Sequence, residues 1–533
     1  MLSIGSIKKQ TSTVDPPAHH VIHTGASEAA SGWASYLPSW APSPARTRPS
    51  LRKTATADFR NPWPSWHKPT LAETWDSFRW GEDDDGYVEL AASHLKHEPT
   101  PPKPEPSKRP RFSDINDWPD SMGAKAARLL CIEDPNFSFP PGSKAKVTWL
   151  GHAGVLVQLP PLSQNSRPVR CVFDPMFSNR CSPSQFAGPI RSYPPPCRAD
   201  GLPQIDAVFL SHNHFDHMDF DSLMSIWNHN QSTVRFFVPL QNKKFLLSWG
   251  IPADRIIELD WWDSVALSAD PISPSSSSQL HIWCTPAQHN SFRTTGDANT
   301  SLWSSWFLEL LSPSQPPYRV FFAGDTGYQF HPSPSWPPSP SNPNPIPLTD
   351  GDEEVDRKFP PCPAFAEIRD TIGPPNLLLL PISVGATYAY LRSFVPLRNQ
   401  INPFPRHAAG VTGANHMPAW DAVRVLRVMT GDEDVDGIGT GGGKPKKGSE
   451  ARMGKGGSEG EGRVVAVAMH WGTFVTDPEE VLRTLGQLEW ACKSQGVRFA
   501  RGLSFGSGDE KALELGETKP VFVALNHGES VCL

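Results

Sequence analysis

The sequence predicts an α/β protein in which two β-sheets pack face to face with helices outside. Three observations predict it. From Val147 onward, apolar runs of strand length recur between turns. Few stretches of the same region show helical periodicity. Finally, His and Asp residues stand just beyond the ends of several of these runs, where a packed scaffold can aim them into one hollow.

Residues 1–57 are rich in Pro, Ser, Ala and Thr without apolar periodicity and read as a disordered tail. They lack the apolar core of a secretory signal. Basic residues such as Lys8, Lys9, Arg46 and Arg48, with few acids, are compatible with a mitochondrial presequence; a plain tail accounts for them as well. Residues 58–145 read as a partly ordered extension packing on the core. Its segment Asp58 to Trp66 holds two tryptophans between prolines, a stiff stretch suited to lying across a domain surface. Residues 146–533 read as the catalytic domain. Its strands are expected at Val147–Leu150, Val155–Val157, Val172–Phe173, Ile205–Ser211, Arg235–Val238, Arg255–Leu259 and Leu280–Cys284. More are expected at Trp303–Leu311, Arg319–Ala323, Leu377–Leu380, Val464–His470 and Val521–Leu525. Two helices are signalled. Asp477 can cap one, with Pro478 in its first turn and Val481, Leu482, Leu485 and Leu488 as its apolar stripe. The other runs from Trp420 to Met429. Residues 331–361, rich in Pro, Ser and Asn, and 431–462, rich in Gly, Lys and Glu, cannot bury enough apolar surface to fold and read as surface insertions.

Composition narrows the function classes. The net charge of −6 argues against a nucleic-acid binder working by bulk charge. Eight cysteines without a CxxC pair fit reduced packing thiols in an intracellular protein. No run of about 18 apolar residues signals a transmembrane helix.

The chemistry concentrates in Phe209 to His217, which places His212, His214, Asp216 and His217 within six residues after an apolar run. Neutral imidazoles offer lone pairs and carboxylates offer charged oxygens, so the set suits zinc or a similar divalent ion. Alternate residues of an extended segment share a face, which lets His212 and His214 point together; the chain must turn at Phe215 for Asp216 and His217 to join them. Four ligands cannot complete two centres. His289 after the run ending near Cys284, Asp325 after Phe321-Phe322-Ala323-Gly324, and His470 after Val464–Met469 are the remaining candidates. His152 reads as either a supporting residue or a polar turn residue; His229, His281, His407 and His527 read as ordinary.

The H-x-H-x-D-H spacing resembles the metallo-β-lactamase superfamily. Within it, Phe59–Trp66, Val147–Ala153, Asp174-Pro175, Ser182–Gln185, Ile205–Asp219, Glu258–Trp262, Phe321–Tyr328, Cys362–Phe365, His470–Phe474 and His527–Ser530 resemble N-acyl-phosphatidylethanolamine-hydrolysing phospholipase D. Removing 329–361 would join Tyr328 to Cys362, as that family reads. The resemblance implies an αββα fold and two zinc ions, one on His212, His214 and His289, the other on Asp216, His217 and His470, with Asp325 bridging. It implies hydrolysis of N-acyl-phosphatidylethanolamine to N-acylethanolamine and phosphatidic acid, with Asp216, Asp325 and His416 in the catalytic set. His416 falls where the family has a head-group contact. The family's tyrosine in the same substrate-contact role is Phe215 here, so that hydroxyl is lost, and residues 385–415 depart from the pattern. Two divalent ions suit this chemistry, since they can clamp phosphate oxygens and activate a bridging water. The implied partners are a phospholipid, a membrane surface reached peripherally, and a second copy in a homodimer. Two other readings stay open: a hydrolase of the same fold acting on a soluble lactone or phosphodiester, and a metal-binding scaffold.

Overall fold

Strands whose residues are buried without alternation must be covered on both faces. Lys146–Gly151, Gly154–Leu159, Leu377–Pro381 and Val465–Met469 are buried along their whole length. The computed structural model, which describes residues 17–22, 57–77, 86–96, 98–163, 166–268, 278–331, 358–383, 412–432, 463–502 and 519–533 with short pieces at 3–4, 8 and 340, supplies both covers. Among the described residues one sheet has seven strands, in the order Ser530–Cys532, Lys146–Gly151, Gly154–Leu159, Val169–Phe173, Ala207–Phe209, Arg235–Pro239 and Ile256–Leu259. The last four run parallel. The other has nine. Its antiparallel part ends with Gln279–Thr285, Ser305–Ser312 and Gln315–Phe322, and Leu377–Pro381, Val465–Met469, Val521–Ala524 and Arg498–Arg501 continue it in parallel.

The period-2 alternation of strands divides the core in two. Val155, Val157, Phe173, Phe209 and Phe237 point between the sheets, while Leu156, Val172, Val208, Phe236 and Val238 lie on the outer face with Leu223 and Ile226 of the helix Phe220–Asn230. Between the sheets, Phe173 stacks on Phe209 at 4.8 Å and reaches across to Phe322 at 4.6 Å. Such contacts lock the two sheets in register against one another and so fix the relative positions of the loops at their ends. This is the expected two-sheet sandwich.

All of the expected core strands form, with ends shifted by a few residues. The helix Pro478–Ser494 is capped by the Asp477 carboxylate, which accepts from Glu479 N at 3.0 Å, and it buries Val481, Leu482, Leu485 and Leu488 as expected. The second expected helix spans Ala419–Thr430. The expectation of few helices needs correction. From Val147 onward Phe220–Asn230, Ala364–Ile372 and Lys243–Ser248 are helical too, and the preceding segment adds Met122–Leu129, Gly86–Ser93 and Leu71–Ser77, for which no expectation was made. Leu223, Ile226 and Trp227 at helical spacing, with Asp219 accepting from Ser222 N, are the local reason for the first of these.

The segment 58–145 contributes Phe59, Ala91, Leu95, Phe112, Ile115, Ala126 and Leu130 to the same core cluster as the sheets. The expected tail 1–57 lies outside the described residues except at 3–4, 8, 17–22 and 57. There, however, His20–Ile22 pairs with Ala57–Phe59, so part of the stretch read as a tail is a strand. Most of 331–361, of 431–462 and of 385–415 also lies outside the described residues, as does His407. Cys362 N donates to Tyr328 O at 2.8 Å. The first of these stretches therefore leaves and re-enters the domain at adjacent points.

Candidate metal centre

The strand Ala207–Phe209 ends at the hollow, and Leu210 N still bonds to Phe237 O at 3.0 Å, so the chain leaves the sheet at Ser211 with a fixed direction. His217 N and Met218 N both return to His214 O, at 3.2 and 2.8 Å. This turn at Phe215 brings Asp216 and His217 to the side that His212 and His214 face. Gly324 makes the approach of Asp325 possible: its φ is +61°, and a Cβ there would lie 2.6 Å from the Ser211 Cβ. Gly327 does the same for His416. A Cβ would sit 2.0 Å from Ala414 C, and the close packing lets Tyr328 N bond Gly413 O and Met417 N bond Thr326 O, both at 2.9 Å.

The seven expected ligand residues come together, and His416 joins them. Their donor atoms, with that of His152, fall into sets lying within 4.8 Å of one another: His212, His214, His289 and Asp325 form one; His152, Asp216, His217 and His470 form another; Asp325, His416 and His470 form a third. In the first, His212 Nε2 is 2.8 Å from His214 Nδ1, and His289 Nε2 is 3.4 Å from the same atom. In the second, His217 Nε2 and His470 Nε2 are 3.5 and 3.7 Å from Asp216 Oδ2. Asp325 lies between the sets: Oδ2 is 3.1 Å from His217 Nε2, 3.7 Å from His289 Nε2 and 4.0 Å from His212 Nε2, while Oδ1 is 3.0 Å from His470 Nε2.

Second partners set the tautomers. Asp174, buried at the end of Val169–Phe173, accepts from His217 Nδ1 at 2.8 Å, from Ser211 N at 2.8 Å and from Ser211 Oγ at 2.6 Å. With its proton given to Asp174, Ser211 Oγ accepts from His212 Nδ1 at 2.8 Å. His289 Nδ1 donates to Asn415 O at 3.0 Å. In all three rings Nδ1 is engaged as the donor, so in the neutral ring the Nε2 lone pair faces inward, the orientation a cation needs. His217 Nε2, His470 Nε2 and Asp325 Oδ1 are buried and make no directed hydrogen bond. Such orphaned polar atoms are costly in a protein interior, and a divalent cation is the group whose coordination satisfies all three at once.

The electrostatics follow. Burial, reinforced by neighbouring imidazoles, holds His212 and His289 well below the usual histidine range and His214 down to about 4. Burial would raise Asp216 and Asp325, yet His217 and the other facing imidazoles hold both well below the usual carboxylate range. Burial would likewise lower His217 and His470, but the carboxylates raise His217 far up and His470 to about 9. The cluster therefore offers neutral imidazoles at His212, His214 and His289 and ionised carboxylates at Asp216 and Asp325, the donor forms that bind divalent metals, while a cation would have to displace the protons that the carboxylates draw onto His217 and His470.

The sequence left His152 undecided. Its Nε2 is 2.8 Å from Asp216 Oδ2, and its backbone N donates to Thr473 Oγ1 at 2.7 Å. Asp174 was read only as part of a segment carrying the resemblance, and Asn415 and Arg293 were given no role. Arg293 Nη1 donates to Asn213 O at 3.0 Å and Met218 O at 2.9 Å, and its guanidinium lies 4.2 Å from the Phe215 ring centroid. It ties both ends of the ligand-bearing turn. Asn61 was read only as part of a surface-lying segment; its amide pairs with the backbone of His289, donating to O at 2.6 Å and accepting from N at 3.1 Å. The signals were slight. His152, Asp174 and His470 all have positive φ, at 51°, 38° and 60°, a strained state that sequence does not show. His527, read as ordinary, is fully buried and meets Thr473 Oγ1 at 3.2 Å, behind His152.

Comparison with known proteins agrees with this geometry. Residues 169–332 match the Beta-lactamase superfamily domain. An uncharacterized protein of Mycobacterium tuberculosis is 36% identical over 205 residues, 38% of this chain and 48% of that protein. N-acyl-phosphatidylethanolamine-hydrolyzing phospholipase D 1 of Caenorhabditis elegans is 39% identical over 184 residues, 34% of this chain and 46% of that one. The mitochondrial N-acyl-phosphatidylethanolamine-hydrolyzing phospholipase D of Saccharomyces cerevisiae is 34% identical over 189 residues, 35% of this chain and 36% of that one. The chain thus spans about half or less of the length of these relatives.

Proposed function

We propose, taking residues 169–332 as a metallo-β-lactamase superfamily domain, that the protein is a zinc-dependent phosphodiesterase that hydrolyses N-acyl-phosphatidylethanolamine to N-acylethanolamine and phosphatidic acid. The observation that carries the reading is the pair of donor sets meeting at one carboxylate, Asp325, with His416 Nε2 3.1 Å from that same carboxylate. The activity named for the nematode and yeast relatives supports the substrate. Zinc held by His212, His214, His289 and Asp325 and by Asp216, His217, His470 and Asp325 would supply Lewis-acid stabilisation of phosphate oxygens and activation of water.

The chain's own residues do the rest. Asn415 Nδ2 donates to His416 Nδ1 at 3.1 Å, which leaves a proton on His416 Nε2 facing the centre. There it can hydrogen-bond a phosphate oxygen or the departing alkoxide. Asp216 and Asp325 hold negative charge opposite the imidazoles and keep the two donor sets at fixed spacing. Phe215 gives an apolar wall, packed with Met176, Cys181 and Phe474, where a hydroxyl would otherwise stand.

The lipid would be met at a membrane surface. No helix among the described residues is long and apolar enough to cross a membrane. From Phe215 an aromatic path runs through Arg293 to Trp249, 5.4 Å from the guanidinium, and on to Phe220, 5.2 Å from Trp249. Phe220 and Leu247 are 45% and 43% exposed. Exposed apolar side chains joined by this path to Phe215 suit peripheral contact with acyl chains. A mitochondrial membrane, as in the yeast relative's name, is the compartment we propose, and a side-by-side homodimer would widen the docking face.

The test is direct. Full-length protein is incubated with N-acylated phosphatidylethanolamine, plain phosphatidylethanolamine and a soluble phosphodiester, with and without chelator, and products are identified by mass. Phosphatidic acid from the N-acylated lipid, lost on chelation, is expected. Turnover of the soluble diester alone would overturn the lipid assignment.

A further inference from the structure

A separate group of ligand-type side chains lies outside the centre described above. The donor atoms of His19, His20 and Asp260 lie within 4.8 Å of one another. His19 Nε2 is 2.8 Å from Asp260 Oδ1, and His20 Nε2 is 2.8 Å from Asp260 Oδ2. The spacing equals that between His212 and His214, or between His152 and Asp216, in the main centre.

We propose that His19, His20 and Asp260 form an additional metal site for a zinc-class divalent ion, which clips the arm 17–22 onto the loop after Ile256–Leu259.

A plain ion pair is the competing account, and the contacts of His20 argue against it. A shared proton requires direction as well as distance. His19 satisfies both. His20 Nε2 has no exposed surface and makes no directed hydrogen bond, although a carboxylate oxygen is 2.8 Å away. The contact with Asp260 is thus an ion pair of poor hydrogen-bond direction, an arrangement that a metal between the two groups would satisfy better. A metal needs only that lone pairs converge. Two imidazoles and one carboxylate with an open fourth position suit zinc far better than calcium or magnesium, which take oxygen donors. Bonds of about 2.0–2.1 Å to a tetrahedral ion put donors about 3.3 Å apart, roughly 0.5 Å beyond the spacing here, a change that small side-chain rotations supply.

The frame around the group is stiff. The His19 ring stacks on Trp261 at 4.3 Å, and Trp63 stacks on the same indole at 5.4 Å. Asp260 Oδ1 also accepts from Trp261 N at 2.8 Å, which fixes the carboxylate plane. Trp261 Nε1 in turn donates to Trp303 O at 2.7 Å. Rigid, pre-aimed donors are what separate a binding site from a chance cluster.

The position gives the clip a consequence. Arg60 N bonds His19 O at 2.9 Å, His20–Ile22 pairs with Ala57–Phe59, and two residues on Asn61 holds the backbone of His289. A metal at His19, His20 and Asp260 therefore anchors the segment whose far end supports a residue of the main centre. It takes no part in chemistry, and it stands whether or not the phosphodiesterase reading does.

The test counts metal. Full-length wild-type protein, His20→Gln and His19→Gln/His20→Gln are dialysed to equilibrium against zinc and assayed for zinc per chain by mass spectrometry, with far-UV circular dichroism as the folding check. Wild type should exceed each variant by one zinc, while Asp216→Ala, which disturbs only the main centre, retains the zinc of the clip. Equal zinc in wild type and both histidine variants overturns the proposal and makes the group a hydrogen-bonded clamp. Anomalous scattering at the zinc edge from wild-type crystals tests the site without any variant: a peak between His19, His20 and Asp260 supports it, and its absence after zinc soaking overturns it.

Discussion

Asp174→Asn isolates the role of the orienting carboxylate. The substitution keeps the volume, and asparagine tolerates the φ of +38° found there, so the backbone has little reason to move. The change is in acceptor capacity. Asp174 Oδ2 takes protons from both His217 Nδ1 and Ser211 Oγ, and Oδ1 takes one from Ser211 N. An amide has one acceptor oxygen. Whichever way it lies, its NH2 faces at least one of these donors. If that is Ser211 N or His217 Nδ1, a buried donor loses its partner, at a cost of about 1–3 kcal/mol. If Ser211 Oγ reverses instead, it donates toward His212 Nδ1, and the tautomer of a second ligand-type ring is lost. Either way one or two rings stop presenting Nε2 correctly, which for outer partners of metal ligands corresponds to about 10- to 100-fold in affinity. Zinc affinity is read by competition with a chromophoric chelator, and turnover on N-acylated lipid is read at saturating zinc. A variant within about twofold of wild type in zinc affinity, a difference of about 0.4 kcal/mol, would refute the claim that Asp174 sets these tautomers.

Three other outcomes are expected. Arg293→Met removes two hydrogen bonds from a charged donor to the carbonyls of the ligand turn and should cost about 1–3 kcal/mol in urea unfolding while weakening zinc binding; Arg293→Lys should recover only part, since it lacks the planar fork that stacks on Phe215. Gly324→Ala puts a Cβ 2.6 Å from Ser211 Cβ at a φ of +61° and should lower stability by about 1–3 kcal/mol, seen as a lower Tm, with zinc affinity falling as well. Burial pushes the Cys362 thiol up to about 12. The native state keeps this proton where the unfolded chain loses it, so the contribution is present in full below the ordinary thiol pKa of about 8.5 and fades as pH rises from there through about 12. The urea midpoint of wild type should therefore fall more steeply between about pH 8.5 and 10 than that of Cys362→Ala.

Much of the scaffold is legible in the chain itself. The short apolar runs from Val147 to Leu525 announce strands because sheets buried on both faces need unbroken apolar segments, and this local signal survives without knowledge of partners. Asp477-Pro478 announces a helix start for the same reason: a cap is satisfied within a few residues. The helix Phe220–Asn230 has equally local marks, Asp219 and the Leu223, Ile226 and Trp227 spacing, but they stand directly beside the denser histidine motif, which masks them. The arm at 17–22 carries no such mark, because its order comes from Asp260 and Trp261, some 240 residues away in the chain.

The sequence by itself determined the donor types and the strands that end beside them: His212, His214, Asp216 and His217 share one turn, and local spacing is enough to bring them near each other. Tertiary structure alone decided the rest. His289, Asp325, His416 and His470 reach the same hollow only because Phe173, Phe209 and Phe322 fix one sheet against the other, and because Gly324 and Gly327 let two backbones approach more closely than any side chain would permit. The tautomers that point the lone pairs inward rest on Asp174 and Asn415, and the strained turns at His152 and His470 exist only where neighbours hold them. Spacing along a chain encodes which donors are available; direction, protonation and close approach are properties of contacts between distant segments, and those arise only when the core has packed.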